Sequence, residues 1–471
     1  MNRSKKLSIL LGVLAVACIA TFGVLRMEEQ KEQIKNSGEI ILELPVDSVQ
    51  ALSWNYNGTA LSFHKSEETW LYDKDAAFPV SAERIAGLLE QFQSFGAAFI
   101  IEDVEDAGQY GLDQPVCTIS LSAEEQTYEI KLGDYSKMDS QRYVSIGDGN
   151  VYLVKHDPLD EFKAELKDMI DNDKTPAFAQ VTKIQFTGEE NDPIIYEENG
   201  SDSDYPDDVY FIRRGGETLP LDTSKVNSYL QAIQSLQLTD YVSYNASDEE
   251  LRSCGLDSPD LTVTVDYTAE DERGNEAQNP FVLHISRDPE EKTAAEKVGE
   301  REEQEDEEET VTAYARIGDS KIIYRLSSDS YQKLIAASYD DFRHREVFWA
   351  DFADIRQIDI SLEGSEYSIQ SEKKGKERIY LYQEEETDLQ AFQKALENLN
   401  ADSFTSEKPT QREEIRLTIY LDRENFPEVS IVLYRYDGTH CLAEVNGQPV
   451  SLVERSGAVD LIEAVHAIVL N

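Results

Sequence analysis

The chain carries the pentapeptide Gly-Leu-Asp-x-Pro twice, as Gly111-Leu112-Asp113-Gln114-Pro115 and as Gly255-Leu256-Asp257-Ser258-Pro259. Segments of the same kind surround both copies, which indicates a chain built from repeats. A glycine, a short polar residue and a proline directly before a strand pattern are typical of a bend through which the chain enters a sheet. We therefore interpret the pentapeptide as architecture. A binding role for Asp113 and Asp257 is the alternative.

Helical and strand patterns recur three times around this motif. Each copy opens with strand-like residues and continues with an amphipathic helix that follows Ser81, Asp222 or Thr387. Two strands, a hairpin and a closing helix follow, and the turns of the hairpins are predicted at residues 147–150, 318–321 and 446–449. The pattern predicts an α+β fold of three related units, each an antiparallel sheet covered by helices.

The predicted domain organisation follows from these patterns. It begins with a cytoplasmic tail (residues 1–6), a transmembrane anchor (residues 7–25) and a linker (residues 26–39). Three repeats follow, at residues 40–172, 173–340 and 341–471. The second repeat contains an acidic insertion at residues 289–310, and like-charge repulsion predicts that it is disordered. An acidic arm for cations or for a basic partner is the alternative. The third repeat lacks the pentapeptide, so we expect a divergent terminal cap.

The N-terminal apolar run, residues 7–25, has the length that a helix needs to cross a bilayer. Arg3, Lys5 and Lys6 precede it and acidic residues follow it, which predicts a cytoplasmic N-terminus with the bulk of the chain outside the cell membrane. A cleaved signal peptide is disfavoured because the apolar run meets charge directly. A lipoprotein signal ending at Cys18 is disfavoured because apolar residues continue beyond it.

The formal net charge is -49. Nucleic acid is excluded as a partner, since binding phosphates requires clustered Lys and Arg. The acidity is most simply explained by solubility. Outside the anchor there are three cysteines, Cys117, Cys254 and Cys441, without metal-type spacing, and we predict buried free thiols.

The sequence contains few signs of catalysis. Neither His-Glu-x-x-His nor Gly-x-Ser-x-Gly occurs, and no two of the six histidines have the spacing of a helical zinc site. Gly147-Asp148-Gly149 resembles a phosphate loop only in isolation, because its counterparts in the other copies are hairpin turns. No catalytic residue and no cofactor is therefore predicted.

Two short charged clusters are the remaining candidates. Asp202, Asp204, Asp207 and Asp208 form the most credible site for a hard cation such as calcium, although the ligand spacing of a calcium-binding helix-loop-helix is missing and a solvated loop is favoured. Residues 343–345, Arg-His-Arg, form a basic island between the second and third repeats. Packing at that junction or ion pairing explains the island most simply.

The stretch from Tyr110 to Pro115, with Leu132-Gly133-Asp134, Arg142-Tyr143-Val144 and the strand 151–154, resembles the bacterial domain-of-unknown-function family numbered 4340. Residues 254–259 resemble a second copy, so the resemblance covers roughly residues 46–338. It implies a membrane-anchored surface protein accessory to exporters of the gliding-motility ABC type. It implies no catalytic residues.

Three hypotheses about function follow. The first is a non-enzymatic, membrane-anchored extracytoplasmic binding or scaffold protein, accessory to an ABC transport complex or to another envelope protein. The second is a cell-envelope hydrolase of carbohydrate or peptide, with carboxylates as acid and base in a cleft between repeats. The third is a cation-responsive adhesin that uses the cluster of residues 202–208.

Overall fold

The computed structural model describes residues 38–102, 104–123, 126–188, 192–198, 205, 207–270, 274, 276–299, 310–374, 377–424 and 426–470. The predicted anchor, residues 7–25, lies outside these residues. No helix within the described part of the chain is long and apolar enough to cross a membrane.

Three nine-stranded antiparallel sheets dominate the fold, and the helices are few. The part around the first sheet contains β1 Glu39–Leu42, β2 Val49–Tyr56, β3 Thr59–Ser66, β4 Thr69–Tyr72, α1 Ala82–Glu90, β5 Phe95–Ile101, β6 Cys117–Ala123, β7 Gln126–Ser136, β8 Gln141–Ser145, β9 Val151–Val154 and α2 Leu159–Phe162. A 3-10 helix at Ala107–Tyr110 precedes β6.

The next part contains β10 Gln180–Thr187, β11 Ile194–Tyr196, β12 Tyr210–Arg214, β13 Glu217–Leu221, α3 Thr223–Gln234, β14 Tyr241–Ser243, α4 Asp248–Ser253, β15 Leu261–Glu270, β16 Glu276–Arg287, α5 Pro289–Gly299, β17 Ala313–Ile317, β18 Ile323–Leu326, α6 Ser328–Ile335 and α7 Tyr339–Phe342. The last part contains β19 Ile355–Leu362, β20 Ser365–Lys374, β21 Glu377–Tyr382, β22 Glu385–Thr387, α8 Gln390–Glu397, β23 Ala401–Phe404, β24 Glu413–Leu421, β25 Glu428–Arg435, β26 His440–Val445, β27 Gln448–Glu454 and α9 Arg455–Val469.

The strand order is the same in the three copies except at the edges, where the first sheet has three strands in its opening meander and the additional strand β1, and the third sheet has four strands in its meander. The first sheet runs β4-β3-β2-β6-β7-β8-β9-β5-β1, and the third runs β22-β21-β20-β19-β24-β25-β26-β27-β23. The neighbouring strands of the second sheet from β13 to β18 follow the same plan, β13-β12-β11-β10-β15-β16-β17-β18. In every copy the first strand of the opening meander pairs with the strand that follows the pentapeptide position. The predicted threefold repetition of an antiparallel sheet is therefore confirmed.

By compactness the chain divides into two units. The first is Met1–Asp173 with Tyr241–Ala246, and the second is Lys174–Asp240 with Ser247–Asn471. In the first unit, Trp54 of β2 packs against Phe63 of β3 and Phe162 of α2, with ring centroids 5.6 and 5.5 Å apart. In the second, Phe392 and Leu461 from helices α8 and α9 are fully buried in a core that includes the inner face of the third sheet.

The pentapeptide ends a helix and starts a strand in both copies. Gly111 and Gly255 have φ of 72° and 71°, and each donates its N–H to a carbonyl three residues earlier. The N–H of the following leucine, Leu112 or Leu256, bonds a carbonyl five residues earlier, which completes a Schellman motif. Both leucines are buried, and the proline precedes β6 or β15 by two residues. The interpretation as architecture is confirmed.

The insertion at residues 289–310 was predicted to be disordered, and this is wrong for its first half. Residues Pro289–Gly299 form helix α5. Asp288 Oδ1 accepts hydrogen bonds from the N–H groups of Glu290 and Glu291, and proline occupies the first helical position, where no N–H is needed. These start signals and the glutamates of the first turn outweigh the unfavourable charge. Residues 300–309 lie outside the described part.

Candidate functional site

A cleft of about 180 Å³ in the second unit combines cations with aromatic rings. We call it the arginine cleft, and its principal side chains are Tyr205, Tyr339, Arg343, Arg345, Trp349 and Phe404. It lies where the chain passes from α7 to β19, between the second and third sheets along the sequence. Arginine and aromatic side chains are the residue types that dominate binding sites.

Backbone hydrogen bonds fix the segment that forms the cleft. Asp222, the N-cap of α3, donates its N–H to Phe342 O at 2.9 Å, and Lys225 Nζ donates to Arg343 O at 2.7 Å. Towards the third sheet, Ala401 N–H donates to Arg345 O at 2.7 Å. The basic island is therefore held between elements of two successive repeats within one compact unit.

The guanidinium of Arg343 is held flat by aromatic rings. Its Cζ lies 4.0 Å from the ring centroid of Phe404 and 4.9 Å from that of Tyr339. Nη1 also lies 3.4 Å from Asp340 Oδ1, and the side chain remains 23% exposed. Contact with two rings restricts the movement of the guanidinium, which is the side-chain group best suited to bind a planar anion.

His344 connects the island to the acidic loop. His344 Nε2 lies 2.7 Å from Asp208 Oδ2, and the two side chains are only 15% and 6% exposed. Asp208 Oδ1 accepts from the backbone N–H and hydroxyl of Thr223, at 3.3 and 3.2 Å. The ring of Tyr205 stacks on that of His344 with centroids 3.5 Å apart and planes at 6°. These contacts form one wall of the arginine cleft.

Trp349 provides a second wall and a donor without a partner. Its Nε1 is buried and has no hydrogen-bond acceptor among the described residues. The ring lies 6.4 Å from Tyr205 and 5.5 Å from the guanidinium carbon of Arg423. An acceptor from a water molecule, an ion or a ligand would satisfy this N–H, as it would the other buried side-chain atoms without a partner in the described part of the chain.

The cleft contains charged side chains of both signs. Arg343 and Arg345 line it, and Glu346 is the acidic side chain there. The pKa of Lys225 is lowered, chiefly by burial and additionally by the nearby charge of Arg345. The guanidinium groups of two arginines thus line a cleft in a protein of net charge -49, with Glu346 in the lining and Asp340 beside Arg343, and these guanidinium groups are the donors available to an anionic ligand.

The first unit contains a larger groove of about 860 Å³, with Arg84, Arg142 and Lys155 in its lining. Its acidic groups are engaged in ion pairs. Arg142 Nε bonds Asp157 Oδ1 at 2.7 Å, and Arg84 Nη1 bonds Glu161 at 3.0 Å. Arg142 Nη1 also donates to the carbonyl of Gly133, so this arginine stabilises the hairpin and the start of α2.

The four predicted cation ligands do not form one described cluster of free carboxylates. Asp202 and Asp204 lie outside the described residues, Asp207 is exposed, and Asp208 is committed to His344 and Thr223. Within the described ranges, no group of three or more His, Cys, Asp or Glu side chains is arranged to hold a metal ion. Asp113 and Asp257 are exposed at the helix ends that the pentapeptide forms.

The sequence indicates the basic island and the acidic loop separately, and no pattern in it shows that they meet. Asp208 and His344 are 136 positions apart, and no spacing rule joins them. Trp349 and Phe404 were not singled out either. The available signal was an Arg-His-Arg island followed closely by tryptophan in a strongly acidic chain.

Comparison with known proteins agrees with the repeat architecture. The family model described as Domain of unknown function (DUF4340) matches residues 70–259 and 213–418. The two matches start 143 residues apart (213 minus 70), and Gly111 and Gly255 are 144 positions apart (255 minus 111). No curated protein and no solved structure matches the chain significantly. Because the two matches together span residues 70–418, well over half of the sequence, the chain belongs to the family described as Domain of unknown function (DUF4340).

Proposed function

We propose that this protein is a non-enzymatic, membrane-anchored extracytoplasmic binding protein that is accessory to an ABC-type transport complex. The arginine cleft is the observation that carries the binding function. Its stacked guanidinium, unpartnered indole N–H and aromatic walls are groups that hold a ligand. Elements of the second and third repeats provide the scaffold that presents this cleft.

Four described aspartates are poor candidates for the general acid of a hydrolase. A general acid that works near neutral pH needs a raised pKa. Four described carboxylic acids have a shifted pKa, and in each of them, Asp73, Asp75, Asp422 and Asp437, the pKa is lowered. Hydrogen bonds from Tyr244 to Asp75 and from Lys373 to Asp422 are the largest causes in two of these cases.

The proposed location rests on the sequence. The apolar run at residues 7–25 has the length of a transmembrane helix, and the preceding lysines and arginine favour a cytoplasmic N-terminus. Protease treatment of intact cells tests this topology. A C-terminal tag should be removed from intact cells, whereas an N-terminal tag should be removed only after lysis. Protection of the C-terminal tag contradicts the proposed orientation.

The accessory function is tested by crosslinking in native membranes. The tagged full chain is crosslinked mildly and purified, and the copurifying proteins are identified by mass spectrometry, with the untagged chain as the control. We expect permease or ATPase subunits of an ABC transporter. If a complex is preserved but no transporter subunit is recovered, the accessory function is wrong. Recovery of a different envelope protein would assign the scaffold to that partner.

A further inference from the structure

We propose that the arginine cleft binds the carboxylate of a small ligand with a ring-sized body, and that Arg343 is its main donor. The inference rests on the proposed binding function and names the ligand class of that same site. Three features support it: the state of the Arg343 guanidinium, the walls around it, and the charge and size of the space.

The guanidinium of Arg343 is restricted in its movement and has donors available to the anion of a bound ligand. Phe404 at 4.0 Å and Tyr339 at 4.9 Å fix its plane, so little side-chain entropy remains to be lost on binding. Its one ion pair, from Nη1 to Asp340, is long at 3.4 Å. The structure shows no acceptor for Nε or Nη2 among the described residues. A planar fork with this free edge matches a carboxylate in bidentate geometry.

Trp349 and Tyr205 line the same cleft as Arg343. Trp349 Nε1 is buried without an acceptor in the described part of the chain. Tyr205 is held in place by its stack on His344, which Asp208 in turn orients. A ligand with a flat or ring-shaped body packs on such aromatic surfaces while its carboxylate accepts from the donors.

Charge and size narrow the class further. Arg345 adds a second positive charge, and it is exposed. The volume of about 180 Å³ corresponds to roughly six water molecules at about 30 Å³ each, which is the scale of one six-membered ring. The chain as a whole carries a net charge of -49, so a large acidic polymer would be repelled outside the cleft.

The test uses the purified full chain and five small probes, of which glucose 6-phosphate is the phosphate counterpart of glucuronate. Glucuronate and benzoate are titrated by calorimetry, together with their neutral counterparts glucuronamide and benzamide. Intrinsic fluorescence provides a second readout, because the other two tryptophans, Trp54 and Trp70, lie in the first unit. We expect one or both acids to bind at least about tenfold more tightly than the matching amide, since a charge-assisted hydrogen bond is lost in the amide.

Two variants form a matched pair. Arg343→Gln should weaken binding of the acid by about tenfold or more. Arg423→Gln also changes the surroundings of Trp349, because Arg423 lies 5.5 Å from that ring, but Arg423 does not line the cleft. We expect Arg423→Gln to bind the acid as the unchanged chain does. Circular dichroism confirms that both variants are folded.

Several outcomes overturn the inference. It is wrong if neither acid binds, if the amides bind equally well, or if folded Arg343→Gln binds like the unchanged chain. Tighter binding of glucose 6-phosphate than of glucuronate would also overturn it, because a phosphate would then be the preferred anion. Recovery of transporter subunits without acid binding would reject this ligand class alone. Acid binding that depends on Arg343 without a transporter partner would reject the accessory function alone.

Discussion

His344 Nε2 lies 2.7 Å from Asp208 Oδ2, a contact between residues 136 positions apart that ties the loop before β12 to the segment after α7. Asp208 also accepts from Thr223 at the start of α3. A single carboxylate therefore joins three segments of the second unit and positions the ring on which Tyr205 stacks. The wall of the arginine cleft depends on this contact.

Replacing Asp208 should destabilise the second unit. The buried carboxylate makes three hydrogen bonds, and removing it takes the acceptor away from His344 Nε2 and from the N–H and hydroxyl of Thr223. We expect Asp208→Ala to lower the free energy of unfolding by about 2–3 kcal/mol in urea titrations, the range for hydrogen bonds to a charged group. The exposed neighbour Asp207 is the control. Asp207→Ala should change the free energy of unfolding by less than about 0.5 kcal/mol. Equal effects of the two substitutions would contradict this role.

The two pentapeptide glycines should differ in their tolerance of alanine. Both have positive φ, which costs a residue with a side chain about 1–2 kcal/mol. At Gly111 an added Cβ would lie 2.7 Å from Asp134 Cγ and 2.9 Å from its backbone N, whereas at Gly255 the nearest atom is Ser286 Oγ at 3.1 Å. Gly111→Ala should therefore cost more free energy of unfolding than Gly255→Ala.

A third glycine provides the control for that comparison. Gly87 lies within α1, has no positive φ, and an added Cβ would meet nothing within 4 Å. Gly87→Ala should stabilise the protein by up to about 1 kcal/mol, because alanine favours helix more than glycine does. If thermal unfolding ranks Gly111→Ala as the mildest of the three, the Schellman geometry is not what the motif provides.

The pH dependence of the third repeat should reflect His440. Burial acts to lower the pKa of this histidine, but hydrogen bonds to Asp437 and Asp402 outweigh it and raise the pKa above 6.5. The associated stability is present below pH 6.5 and is lost as the pH rises through the folded pKa. In an NMR titration, Asp402→Asn should lower the pKa of His440. Glu463→Gln, an exposed carboxylate on α9, should leave it unchanged.

Asp437 should respond at the acid end of the same titration. Backbone hydrogen bonds from Thr439 and His440 lower its pKa from 3.8 to about 2. Its contribution to stability is therefore present above pH 3.8 and is lost as the pH falls from about 4 to 2. The measurement is the free energy of unfolding between pH 4 and pH 2. This linkage is contradicted if that free energy does not change with pH in the unchanged chain and if Asp437→Asn gives the same values.

The three described cysteines should be inert in the folded protein. All three are free and buried, and burial raises the pKa of Cys117 to about 12 and of Cys441 to about 11. Since the thiolate is the reactive form, a Cys18→Ser chain should show no reaction with Ellman's reagent at pH 8 until denaturant is added. Release of one or more equivalents of thionitrobenzoate from the native protein would show that a thiol is exposed.

Calcium should not stabilise the protein. Asp208 is occupied by His344 and Thr223, which leaves too few of the four candidate aspartates for the six to eight oxygen ligands that calcium takes. We expect the same unfolding temperature with calcium or with chelator, in the unchanged chain and in the Asp202→Asn, Asp204→Asn double variant. A calcium-dependent increase that the double variant abolishes would establish the cation site.

The repetition of the fold was predictable because local signals repeat. Ser81 and Asp222 accept the N–H groups at the starts of their helices, as predicted. The hairpin turns place Gly147, Gly318 and Gly447 at positive φ. Each of these features depends on residues within a few positions of one another, and the chemistry of caps and turns is local.

The meanders that open the repeats were not predictable to the same extent. One strand was identified in each copy, whereas the structure pairs two or three more strands with it, among them β20, Ser365–Lys374. Ile369 is buried in β20, but most of its neighbours are exposed, so the alternation that marks a half-buried strand is absent. Pairing with β19 and β21 decides its conformation.

The sequence by itself determined that three similar sheets follow one another, where the helices after Ser81 and Asp222 start, and where glycine must bend the chain. It also determined the acidity from which we expect no nucleic-acid partner. Only the tertiary structure decided that Asp208 meets His344 and that Phe404 supports Arg343. Capping and turn geometry depend on neighbours along the chain, whereas a cleft forms from side chains that packing brings together from distant positions, and no local pattern encodes that meeting.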